Sequence, residues 1–102
     1  MDPERLSDIQ VADVVIATAG REKGKLFYVL EVDEQYLILG NGKDRTLEQP
    51  KRKKRRHVDK VLRSETRVAE KLRLGDKVLN SELRRDLAYL SQKLQSNNLG
   101  GF

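Results

Sequence analysis

Residues 14–32 read VVIATAGREKGKLFYVLEV. A β-branched run, DVVIATA over 13–19, stops at Gly20, and a second β-rich run, LFYVLEV over 26–32, begins two residues after Gly24. The link between them, GREKGK, has Gly20 and Gly24 available for positive φ. A third run, YLIL over 36–39, follows the link DEQ, which is short enough for a hairpin. It leaves through GNGKD, where Asn41-Gly42 is a strong turn signal. Three short strands with tight polar turns predict an antiparallel meander. Sheets this small close into a barrel or are covered by helices.

The faces of these strands say which. Val14 and Ile16 share one face and Val15 and Ala17 the other; Leu26, Tyr28 and Leu30 oppose Phe27 and Val29; Tyr36 and Ile38 oppose Leu37 and Leu39. A half-solvated sheet alternates apolar with polar residues. Here both faces are apolar, so something must cover the outer one. SETRVAEKLRLG, 64–75, has the Ser or Thr start and Gly stop of a short helix, with Thr66 or Ser64 as cap. NSELRRDLAYLSQKLQSNN, 80–98, predicts a longer helix capped by Asn80 or Ser81. Its Leu83, Leu87, Leu90 and Leu94 recur on one helical face, with Arg84 and Arg85 off the stripe. That face is expected to pack on the barrel; its rival use is a homodimer or partner interface. NNLGGF, 97–102, reads as a frayed end.

The 102 residues are 36% charged and 5% aromatic, within single-domain range and with a heavily solvated surface. No cysteine is present, so disulfides and thiolate metal sites do not arise. No apolar stretch approaches the roughly 20 residues that span a bilayer, and no membrane partner is expected. The polar, acidic N-terminus resembles neither a signal nor a transit peptide. These features point to a cytoplasmic protein.

Charge is unevenly placed. Residues 1–50 carry 6 basic and 10 acidic side chains, residues 51–63 carry 8 and 1, and residues 64–102 carry 7 and 5. The short central segment therefore supplies more than the whole +5 net charge. Charge of one sign so concentrated marks a site for a polyanion. Within it, Lys51, Arg52, Lys53, Lys54, Arg55 and Arg56 are six consecutive cations, followed by His57. As a regular core-facing strand, this run would bury one triplet of charges without partners, at several kcal/mol per ion. An extended loop or an edge with both faces wet is expected instead, rejoining the barrel only around His57 and Val58. The loop between the first two strands adds Arg21, Lys23 and Lys25. Gly24 is expected where a Cβ would clash, and the tight turn can bring backbone amides and side chains onto phosphates. A solvated turn, a linker or a localisation signal would use the same residue types.

The segment 11–42 resembles the KOW motif of ribosomal proteins and transcription elongation factors. The matching features are the strand DVVIATAG, then three residues, GKL at 24–26, and a second hydrophobic strand. The likeness is closer to large-subunit ribosomal proteins of archaeal and eukaryotic type (the fourteen-e, six-e and twenty-seven-e kind). PKRKKRRHV, 50–58, resembles the basic segment that follows the strands in short bacterial KOW proteins described as RNA-binding. Many KOW motifs have a second glycine soon after this point, where Leu26-Phe27 stand here, which favours the ribosomal branch. The resemblance covers about residues 9–60. It implies a small SH3-like antiparallel barrel that binds RNA, followed here by two α-helices. Carried over, it puts Arg21, Lys23 and Lys25 on phosphates and gives Gly20 and Gly24 structural turns.

The expected organisation is an N-terminal arm over 1–8, a barrel over 9–60 that includes the basic segment 50–57, a helical extension over 61–96, and a tail over 97–102. The expected function is non-enzymatic binding of RNA, most simply ribosomal RNA, through Arg21, Lys23, Lys25, Lys51–Arg56 and His57, with no cofactor and no metal. His57 is the only histidine, and one His without cysteine or a carboxylate cluster does not make a metal site. Tyr28, Tyr36 and Phe27 are expected in the core more than on bases. The alternatives are a protein-interaction module using the leucine-faced helix, and a DNA- or transcription-associated KOW protein.

Overall fold

A computed structural model of the chain describes residues 8–100, with side chains as far as Gln95. The expected arm, apart from Asp8, and residues 101–102 lie outside the described residues. Five strands form one antiparallel sheet: β1 (Asp13–Ala17), β2 (Leu26–Val32), β3 (Tyr36–Gly40), β4 (Lys51–Lys54) and β5 (Val58–Arg63), in the order β4-β3-β2-β1-β5. Two helices follow, α1 (Arg67–Leu74) and α2 (Asn80–Gly100). The chain is thus mainly β with C-terminal helices. Two boundaries differ from expectation. The sheet extends through β5 to Arg63, past residue 60, and α2 continues through residues 97–100. Among the described residues no helix is long and apolar enough to cross a membrane.

The sheet is curled, and chain length requires it. β4 and β5 are opposite edges, yet only the 3-10 turn Arg55–His57 joins them. In a flat sheet, four strand spacings would separate those edges by about 19 Å. The four steps from Lys54 to Val58 reach at most about 14 Å fully extended. Register shifts between Val14 and Val15 and between Val29 and Glu31 supply local bends.

Curling divides the apolar residues as the alternation predicts. Val15, Ala17, Phe27, Val29, Leu37 and Leu39 fill the concave side, sealed by Ile9 and Val58. On the convex side, Val14 and Tyr28 pack with Ala69 of α1, Val78, and Leu83, Leu87 and Leu90 of α2. Full burial of a leucine stabilises by about 1.5–3 kcal/mol, so this stripe is the main tie of α2 to the sheet. Phe27 and Tyr28 are both fully buried.

Tyr28 also makes the polar link. Its hydroxyl donates to the Asp86 carboxylate of α2 and lies 2.8 Å from Ser64 Oγ. Thr66 Oγ1 donates to the same carboxylate at 2.8 Å and accepts from Ala69 N at 3.2 Å, capping α1. Burial, and then the adjacent Asp86 carboxylate, push the phenol up to about 12, so it remains a donor at neutral pH. β2, the end of β5 and both helices therefore meet at one buried hydroxyl.

Asn80 and Ser81 do not cap α2. Helix begins at Asn80, and Leu79 holds the cap position, its N–H donating to Glu82 Oε1 at 2.9 Å. The Asn80 side chain instead accepts from Leu47 N at 2.8 Å and donates to Glu48 at 2.8 Å. These bonds clamp the β3–β4 loop onto the start of α2, and Gly42 makes the approach feasible. A Cβ there would lie 2.2 Å from Asn80 O, at φ +75°. Gly75, which ends α1 at φ +74°, has nothing within 4 Å of such a Cβ.

Gly42→Ala should therefore lower unfolding free energy by about 3–5 kcal/mol, combining backbone strain with overpacking. Gly75→Ala should cost only about 1–2 kcal/mol, from the dihedral alone. Urea titrations of both variants make the comparison; equal losses would show that the contact with α2 is not what Gly42 serves.

Candidate nucleic-acid interface

The β1–β2 loop is knitted by its own backbone. Lys23 N donates to Gly20 O (3.2 Å), Gly24 N to Ala17 O (2.8 Å) and Lys25 N to Glu22 O (2.9 Å). Those three amides are committed within the loop, contrary to the expectation that they converge on a phosphate. The loop's exposed cations are the side chains of Arg21, Lys23 and Lys25. Gly20 and Gly24 have φ of +82° and +89°, but a Cβ on Gly24 would meet nothing within 4 Å. The dihedral, and not a clash, requires glycine there.

Inside the loop lies a residue that composition did not single out. Glu22 is buried, and it accepts from the Arg45 guanidinium at 2.7 Å. That bond lowers its pKa; burial opposes the shift, and Lys51 and Lys53 add to it from β4. The two basic segments of the sequence thus meet around one carboxylate.

Lys53 makes the contact direct. It pairs with Leu37 of β3, so it shares the concave side with that buried leucine, and it is only 7% exposed. Its ammonium donates to Ala19 O at 2.9 Å. The expectation of two wet faces is therefore wrong for this strand. β4 is an edge, as foreseen, but it lasts four residues, so Lys51 and Lys53 face inward and Arg55 lies beyond its end. One buried ammonium, held by a carbonyl beside a carboxylate, costs far less than an unpaired triplet. A second bridge sits next to it: Thr18 N donates to His57 O at 2.8 Å. His57 contributes here through its backbone. Together the bridges set the basic run against the entrance of the β1–β2 loop.

The remaining predicted residues divide. Arg52 and Lys54 take the convex face of β4 opposite Ile38 and Tyr36, with the Arg52 guanidinium 3.7 Å from the centre of the Tyr36 ring. Arg55 Nε donates to Asp33 O at 2.9 Å. Lys25 is exposed and ion-paired with Asp44 at 2.5 Å, which lowers the Asp44 pKa. Arg21, Lys23, Lys54 and Arg56 are exposed, and their side chains make no hydrogen bond or ion pair among the described residues. Arg45 and Asp44 join this surface although nothing in their local sequence marks them. Strand order could have done so, because the first and third loops of an antiparallel meander share an end.

No protein-family model matches the chain, and no curated protein sequence matches it.

Glu22 supplies a pH test. Its pKa is lower in the folded protein than the ordinary 4.5, so its stabilising contribution is complete above that value and is lost as pH falls through the folded one. Glu22→Gln should destabilise the protein at neutral pH, with the gap from wild type narrowing from about pH 5 downward. Urea midpoints across that range measure the gap. A gap independent of pH would assign the effect to shape and not to charge.

Proposed function

We propose that the protein is a non-enzymatic, cytoplasmic RNA-binding protein of KOW type, associated with the ribosome, that grips structured RNA through its phosphate backbone. The observation that carries this reading is the pair of bridges, Lys53–Ala19 and Thr18–His57, that holds the two basic segments together. Cations far apart in the chain, on the β1–β2 loop and on the basic run, then act on one strand of a polyanion. The strand order and the single 3-10 turn before β5 are what an SH3-like barrel calls for, which supports the KOW resemblance of residues 9–60. Few aromatic or bidentate amide side chains stand free near the cations, so recognition follows RNA shape and charge more than base edges. The leucine face of α2 is occupied within the chain by Leu83, Leu87 and Leu90, which leaves the basic surface as the leading candidate for binding.

The test removes cations that hold nothing else. Arg21, Lys23, Lys54 and Arg56 changed together to Gln should weaken binding to a ribosomal RNA stem-loop. The slope of log K against log salt should become shallower by about 3, at roughly 0.7–0.9 for each phosphate that is no longer neutralised. Thermal unfolding should be unchanged, because Lys53 and Arg55 keep their carbonyl partners. Unaltered affinity and slope would refute the reading. Crosslinking in lysate would then say whether the partner is ribosomal RNA, another RNA or a protein.

A further inference from the structure

Beside the β1–β2 loop lies an open groove of about 660 Å³. Its walls are the loop at Gly24 and Lys25, the β3–β4 loop at Lys43 and Asp44, and the α2 face bearing Arg84 and Ala88. Three features fix the walls: the Asn80 clamp, Gly42 against α2, and the Lys25–Asp44 pair across the groove. Arg84 itself donates to Gly42 O. One NH2 group of its guanidinium is thereby anchored, while most of its five donors remain directed elsewhere. Three cations, Lys25, Lys43 and Arg84, face one carboxylate, Asp44. The space above Gly24 is empty, so a ligand can approach the loop backbone closely. Ala88 is exposed and too short to obstruct the groove.

We infer that this groove is a second phosphate-binding track, in which Lys43 and Arg84 hold the sugar–phosphate backbone of the same RNA after it crosses the loop tip. The inference rests on the RNA reading and adds to it a helix that the basic run and the KOW resemblance do not include. Charge complementarity selects a polyanion, and continuity with Arg21 and Lys23 selects the strand already bound there. Asp44 is the built-in competitor. In the free protein it holds Lys25; a phosphate entering the groove must take Lys25 from it.

The experiment measures salt-dependent binding of the full chain to a short RNA duplex and to single-stranded poly(U). Lys43→Gln with Arg84→Gln should flatten the slope by about 1.4–1.8, two phosphates at roughly 0.7 for a single strand or 0.9 for a duplex. Ala88→Glu, which breaks no bond, should weaken binding by placing a like charge in the track, and it decides the matter if loss of Arg84 disturbs folding. Asp44→Asn should tighten binding by freeing Lys25. Arg85→Gln, one residue along and about 100° around the helix, should leave the slope unchanged. If the loop and β4 cations control the slope while Ala88→Glu and the double variant do nothing, the track is refuted and the RNA reading stands. If wild-type protein binds neither RNA, the RNA reading itself falls.

Discussion

A three-residue connection between opposite edges of a sheet governs this structure. Because Arg55–His57 must carry the chain from β4 to β5, the sheet has to curl until those edges approach. Curling encloses Phe27, Val29, Leu37 and Leu39, and it brings the basic run to the mouth of the β1–β2 loop. Core and candidate site are two results of one closure. Loosening the turn would harm both, because the backbone of His57 is bonded to Thr18 across the closure.

The convex face is closed by a different means. Leucines on α2 provide the area, but area alone does not fix where a helix lies. The Tyr28 hydroxyl does so, because it and Thr66 both donate to Asp86 at one place along α2. Sliding the helix would break the bonds that Asp86 accepts from Tyr28 and Thr66, at about 1–3 kcal/mol each. The same placement sets Arg84 and Ala88 beside the loops, so a polar contact in the core determines which surface the helix offers outside.

Much of this was legible in the sequence. β2 has the boundaries its composition suggests, β1 and β3 are within two residues of theirs, and Thr66 and Gly75 begin and end α1 as Ser/Thr and Gly signals imply. Apolar residues on both faces of the strands correctly called for a second layer. β4 was legible as an extended edge but not as a strand with an inward face, for an electrostatic reason, and β5, with Asp59, Lys60 and Arg63 among its six residues, carries no apolar run to mark it. An expectation of wet faces treats buried charge as partnerless, whereas the partner of Lys53 is the carbonyl of Ala19, thirty-four residues away, with Glu22 beside it. No local pattern announces such a pair. Asn80 misled for a related reason: the residue type suited a cap, but its side chain serves the neighbouring loop.

Among the described residues β4 has ladder pairing with β3 alone, so its other side carries no ladder partner. Open edges of this kind invite pairing between copies, and rows of cations are a standard protection against it. Two β4 edges brought together would place two runs of four like charges side by side. The run thus keeps the β4 edges of separate copies apart. Salt screens that repulsion, so the protection against sheets joining weakens as ionic strength rises.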